Sequence, residues 1–391
     1  MFVGNSSETT LQSVHAPTRP ALNFSVTFVM EQVLGHVSHY KNLRQAVTTA
    51  PEVKASWVEV TYNSPKNPLN RLSFIPRPLV GYSTGLWQTG QGLWQGRKDK
   101  IIFFHTQKPA VLFAPFLRRK KFAVSLDITP AQYDRYGSIY EDPGNTTGQV
   151  ARLKHAINKH LFASSSLIVS WSEWVKESLC REYGVAPVKV VVIPPGIDLE
   201  RWQAGSLPRP AKANHELPKI LFCGGDWERK GGPQLLEWFT QRGHQFCELH
   251  LVTRARIANP DNLPNLFVYN NFNANDPALI ELYRQADIFA LPTLAEAFGI
   301  ALTEAMAMGL PVVTTRVGAC AEIVEDGETG FLVEAGNVVE LGQKLEELLS
   351  NTPLRQHMSV QAREKAVTRY DAVKNGQELL EVLAGLLEKV R

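Results

Sequence analysis

Two successive series of short apolar runs, each leading through a loop into a helical stretch, constrain what this chain can fold into more than any other feature. The first comprises SVTFVM (25–30), KIIFFH (100–105), KFAVSL (121–126), SLIVS (166–170) and KVVVIP (189–194). A stretch rich in Pro and Ala, GSLPRPAKANHELP (205–218), separates it from KILFCG (219–224), LHLVT (249–253), NLFVYN (265–270), DIFALP (287–292), PVVTT (311–315) and GFLV (330–333). Runs this short, rich in Val, Ile, Leu and Phe, suit buried parallel strands covered by the intervening helices. The expectation is an α/β protein with two Rossmann-like doubly wound domains facing a central cleft, since open sheets of this kind bind ligands beyond the carboxyl ends of their strands.

A length of 391 residues calls for two cores rather than one. We expect a flexible leader at 1–20, a first domain at 21–200, a second at 201–374, and an amphipathic helix at 375–391 packing back toward the first domain. The leader is polar and lacks the apolar centre of a signal peptide, and no run of about 18 apolar residues exists to span a membrane. Cys180, Cys223, Cys247 and Cys320 show no paired short spacing, which argues against a zinc site or a disulfide framework and fits a reducing, cytoplasmic setting.

The net charge of +3 conceals an asymmetry, because residues 1–126 carry 15 Lys or Arg against 5 Asp or Glu and the remainder is net acidic. The basic part suits an anionic partner, a membrane surface or an acidic substrate, and reads equally as a solvated basic face. It lacks the aromatic and basic pattern of any nucleic-acid module, so nucleic acid is not expected as a partner.

The densest chemical signal is PTLAEAFGIALTEAMAMGLPVV (292–313), a strand end leading through a loop into a helix that stops at Gly309 before Pro311. Glu296 lies in the loop and Glu304 on the helix. A helix beginning near Gly299 presents free N–H groups and a positive dipole end between these two carboxylates, where a diphosphate fits. One acid can then accept from sugar hydroxyls and the other from ribose hydroxyls. Taken alone, two glutamates eight residues apart more commonly mark a helix start and a helix surface. FCGGDWERKGG (222–232) is a second strand end, in which Gly224 and Gly225 allow close backbone approach and Arg229 and Lys230 can neutralise a departing diphosphate.

The run EAFGIALTEAMAMGLPVV strongly resembles the donor-binding signature of the GT4 family of glycosyltransferases. GACAEIVEDGETGFLVEAGN (318–337), VKVVVIPPGIDLERW (188–202) and SWSEWVKESLCREYGV (170–185) continue the resemblance, which is firm over about 165–370 and looser before it. It implies the two-domain GT-B fold, with the first domain binding the acceptor and the second the nucleotide sugar. It further implies transfer of a hexose from a nucleotide-diphosphate sugar with retention of configuration. By this likeness Glu296 holds the transferred sugar, Phe298, Gly299 and Ile300 bind phosphate and sugar through their backbone, and Glu304 binds ribose. Gly35 and His36, after the first strand, look like the family's glycine loop for donor and acceptor approach. Asp127, Glu296 and Lys230 are the catalytic candidates, and His105, Asp127 and Thr129 the acceptor-binding ones.

The chain departs from the family pattern twice. Gly225 stands where the family usually has arginine, with Arg229 a candidate substitute, and Asp127 stands where many members have histidine. Asp127 and Thr129 also read as a helix cap or Asx turn before Pro130, and His105 as a core histidine. These departures leave room for a catalytically impaired nucleotide-sugar-binding protein of the same fold, which donor turnover would distinguish. No Asp-x-Asp occurs, so metal-independent catalysis without a bound cofactor is expected, with a UDP-sugar as the donor preferred on family frequency. The acceptor is left as glycan, lipid or small molecule. RLSFIPRPLVGYSTGLWQTGQGLWQGRKDK (71–100) and LFAPFLRRKKF (112–122) mix Trp87 and Trp94 with many cations, either as a helix packed on the sheet with a basic rim or as a peripheral membrane dock.

Overall fold

The computed structural model describes residues 22–388 except 34, 63–76, 112, 118–119, 141–146, 206, 208–215, 258 and 260–261. The leader, Arg71, Arg118, Arg119 and most of the Pro- and Ala-rich stretch thus lie outside the described residues. Twelve strands are described: β1 (Ser25–Glu31), β2 (Lys54–Val60), β3 (Ile101–Phe104), β4 (Lys121–Leu126), β5 (Leu167–Ser170), β6 (Val190–Val192), β7 (Lys219–Cys223), β8 (Glu248–Val252), β9 (Leu266–Tyr269), β10 (Ile288–Leu291), β11 (Val312–Thr315) and β12 (Gly330–Val333). They form two six-stranded sheets, ordered β2-β1-β3-β4-β5-β6 and β12-β11-β10-β7-β8-β9. Every described pairing is parallel.

The strand β2 has no counterpart among the apolar runs. Its sequence KASWVEV leaves Lys54, Ser56 and Glu59 exposed, as an edge strand permits. It is held by parallel pairing to β1 and by Trp57, which stacks on Phe28 at 4.4 Å.

Alternation along the first sheet divides its core into two layers. Val26, Phe28, Met30 and Phe103 pack on one face; Val29, Ile102, Phe104 and Val124 pack on the other. The helix Ala372–Glu388 contributes Leu379, Leu380, Leu383 and Ala384 to the first of these layers, against the helix His36–Thr48. Contact is close there, since a Cβ on Gly376 would lie 2.5 Å from that of Ala46. The preceding helix, Thr352–Arg369, instead gives Met358, Ala362 and Ala366 to the second domain's core. The two chain crossings run side by side, with Ile197 N donating to Tyr370 O at 2.7 Å and Ala372 N to Ile197 O at 3.0 Å.

Candidate active site

In each sheet the strand order reverses once, between β1 and β3 and between β7 and β10. Loops leaving the two strands at such a point run in opposite directions and open a crevice beyond the carboxyl ends. A polar pair occupies each crevice. His36 follows β1 and His105 follows β3, and their Nδ1 and Nε2 atoms lie 2.8 Å apart. Lys230 follows β7 and Glu296 follows β10, and the Lys230 ammonium donates to the Glu296 carboxylate.

The two crevices face each other. Trp171 packs edge to face on Phe298 with ring centroids 5.7 Å apart, and a Cβ on Gly35 would sit 3.5 Å from Ile300 Cδ1. The Arg229 guanidinium lies over the Tyr140 ring at 4.8 Å, and Gly318 N donates to the Tyr136 hydroxyl at 3.2 Å. The Glu322 carboxylate of the second domain accepts from Glu173 N at 2.8 Å and Trp174 N at 2.6 Å. Those N–H groups open the first-domain helix Glu173–Tyr183, so an acid from one domain caps a helix of the other.

Local chain geometry sets the second-domain half. Gly231 has φ +76°, and a Cβ there would meet Pro292 O at 1.9 Å, so only glycine lets the loop after β7 lie on the loop after β10. Leu294 N donates to Arg229 O at 2.8 Å and fixes the same contact. Glu296, 7% exposed, also accepts from Ala297 N at 3.2 Å. Gly299, at φ +96°, turns the chain into the eight-residue helix Ile300–Ala307, whose first N–H groups open beside Glu296. Gly224 is similarly confined, since a Cβ would come within 2.9 Å of Lys230 Cβ.

In the first domain, Asp127 follows β4 and lies 3.5 Å from His36 Nε2. Burial raises its carboxyl above the usual carboxylate range, and the neighbouring His36 opposes that rise. Burial holds His105 neutral, well below the usual histidine range, with His36 and His39 adding to the effect. His39 is likewise lowered to about 3, mainly by burial. The histidines 36, 39 and 105 pack around Trp171.

Three expectations need revising. Thr129 is fully buried in a capping box, accepting from Gln132 N at 3.2 Å, and its hydroxyl meets that of Ser178 at 2.7 Å. It shapes the helix Pro130–Tyr136 and does not reach an acceptor. His105 has no exposed surface and stands behind His36. Arg229, 8% exposed, is pinned by Asp226 Oδ2 at 2.8 Å and Ala295 O at 2.9 Å beneath Tyr140. It joins the loops and does not present a free cation. Glu304 lies on the helix after Gly299 as expected, and burial pushes its carboxyl up to about 8 while a hydrogen bond from Tyr283 opposes that rise.

Trp171, Tyr140 and Arg254 belong to this region and went unnoticed in the sequence. Arg254 had the one available signal, since it sits just past the carboxyl end of β8. Among the described residues no cluster of three His, Cys, Asp or Glu side chains is placed to hold a metal ion.

Two doubly wound domains with their switch points opposed define the GT-B class. Sucrose-phosphate synthase from Thermosynechococcus elongatus shares this fold with a TM-score of 0.72 at 17% identity, over 94% of this chain and 100% of that one. The family model described as glycosyl transferases group 1 matches residues 209–365, and that of Glycosyltransferase Family 4 matches 73–201. A capsular polysaccharide biosynthesis glycosyltransferase of Staphylococcus aureus is 32% identical over 292 residues, 70% of this chain and 76% of that protein. D-inositol 3-phosphate glycosyltransferase of Corynebacterium diphtheriae is 28% identical over 249 residues, 59% of this chain and 58% of that protein. The chain belongs to glycosyltransferase family 4.

Proposed function

We propose that the protein transfers a hexose from a nucleoside-diphosphate sugar to a hydroxyl acceptor with retention of configuration and without a bound divalent cation. The observation that carries this reading is the Lys230–Glu296 pair at the switch point of the second sheet, beside the helix that starts after Gly299. The ammonium and the helix N–H groups supply positive charge to a leaving diphosphate, and the carboxylate accepts from sugar hydroxyls. The anomeric C–O bond breaks as the diphosphate leaves, and the acceptor oxygen bonds on the same face. The acceptor proton passes to a departing phosphate oxygen. His36 and Asp127 line the opposite wall, where the acceptor enters.

The test is saturation-transfer NMR with UDP-, GDP- and ADP-sugars in turn, on wild type and Glu304→Ala. One nucleotide sugar, UDP by preference, binds wild type and loses its signal in the variant. Absence of signal for all three in wild type removes the donor site. A nucleotide sugar that binds but is never turned over favours the impaired, purely binding alternative, to which Gly225 and Asp127 point.

The acceptor side carries a second element of the proposal, a cytoplasmic membrane face. On the helix Arg77–Gln95, Trp87 and Trp94, seven residues apart, are exposed on one side, Trp94 at 69%, and Arg97 lies over the Trp94 ring at 4.7 Å. Val80, Thr84 and Thr89 are buried, so the helix both packs on the domain and shows an aromatic, basic-rimmed face. Among the described residues no helix is long and apolar enough to cross a membrane. Vesicles of phosphatidylglycerol are expected to co-sediment the wild type and to lose most of it when Trp87 and Trp94 are both changed to Ser. Equal recovery of both proteins, or none with wild type, counts against the dock.

A further inference from the structure

We propose that Arg254 is the second cation of the diphosphate site, reaching across the space that Gly225 leaves open. This rests on the donor-site reading above and assigns a residue to it that no motif marks.

Gly224 N donates to Val252 O at 2.9 Å, which joins the ends of β7 and β8 beside the switch point. Arg254 follows two residues beyond β8 on that same edge. Its side chain lies over Gly225, with Nε, Cδ and Cγ at 3.7, 3.8 and 4.0 Å from the point a Cβ there would occupy. A larger residue at 225 would need that space for its own side chain. The guanidinium is exposed, and among the described residues it makes no hydrogen bond or ion pair.

The other cations of the crevice are already engaged. Arg229 is held under Tyr140 by Asp226 and the Ala295 carbonyl, and Lys230 is paired with Glu296. A diphosphate carries more charge than one shared ammonium neutralises, and a planar guanidinium matches two phosphate oxygens at once. Arg254 is a cation with its donors still available over Gly225, whose backbone has an ordinary negative φ that any residue can adopt.

Calorimetry with inorganic pyrophosphate, and with the mono- and diphosphates of uridine, guanosine and adenosine, tests this on the full chain. Arg254→Ala is expected to weaken pyrophosphate and the preferred nucleoside diphosphate by about tenfold or more, while the matching monophosphate changes far less. Gly225→Arg placed on top of Arg254→Ala is expected to restore most of the lost affinity, because it returns a guanidinium to the same space. A merely structural arginine would produce neither the discrimination between phosphates nor the rescue. Unchanged diphosphate and pyrophosphate affinity in Arg254→Ala overturns the assignment, as does a monophosphate loss of equal size without rescue. Wild type binding pyrophosphate but no nucleotide overturns the donor reading while leaving Arg254 as a phosphate ligand. Wild type binding neither overturns both.

Discussion

Lys230→Ala is expected to reduce donor turnover by about 10²- to 10³-fold, the usual cost of removing one preorganised group that stabilises developing negative charge. It is also expected to destabilise the fold. Both partners are largely enclosed, the Lys230 side chain at 15% exposure and Glu296 at 9%, so deleting the ammonium leaves a carboxylate in a poorly solvated place. Breaking one side of such a pair costs about 3–5 kcal/mol. Lys230→Met combined with Glu296→Gln separates the two effects, because it removes both charges while keeping similar volumes. The double variant should recover most of the stability, read by urea unfolding, and none of the turnover, read as nucleoside-diphosphate release. Turnover at the wild-type rate in Lys230→Ala would refute the assigned role, whatever its stability.

Changing Glu304 to Gln is expected to flatten the dependence of stability on pH. An ordinary glutamate loses its proton near 4.5, whereas burial holds the Glu304 proton until about 8. Between those values the folded chain keeps a proton that the unfolded chain has released. Stability from this group is therefore fully present below 4.5 and is lost as pH rises through about 8. At about 1.36 kcal/mol per pH unit the loss is bounded at roughly 5 kcal/mol, and partial solvent access makes it smaller. Urea unfolding at several pH values should show wild type declining relative to Glu304→Gln across that window. Ribose hydroxyls need an acceptor, so nucleotide affinity of wild type should rise over the same range while that of the variant stays level. Parallel stability curves for the two proteins would show that the carboxyl is not held protonated.

Most of the architecture was legible because parallel strands buried on both faces read as continuous apolar runs. Eleven runs correspond to strands, and the one omitted, β2, is a half-exposed edge whose Lys54, Ser56 and Glu59 erase that signal. The loops proposed to hold the donor stood out for a related reason. Lys230, Glu296 and Gly299 sit in loops whose glycines and charges lie close together in sequence. What could not be read was which charges are already taken. Arg229 looks like a free cation until Tyr140, 89 positions earlier in the chain, closes over it. Thr129 and His105 have the chemistry of acceptor ligands, yet hydrogen bonds to Ser178 and His36 place both beneath the surface. Arg254 lay in no motif, and its placement over Gly225 depends on the pairing of β7 with β8.

The helix Ala372–Glu388 completes an apolar layer begun by Phe24, Val26 and Phe28. On the ribosome this makes the two domains unequal. Every described strand of the second domain lies between Lys219 and Val333, and the helix Thr352–Arg369 that completes its core follows before Ala372. The first domain's strands appear earlier, but one face of their sheet is covered only in part, by the helix His36–Thr48, until residues 372–388 have left the exit tunnel. The domain synthesised first is thus the one finished last. In the interval its exposed Phe and Val surface is what a chaperone would hold, and a chain released before Ala372 would carry the whole core of one domain and an adhesive sheet in the other.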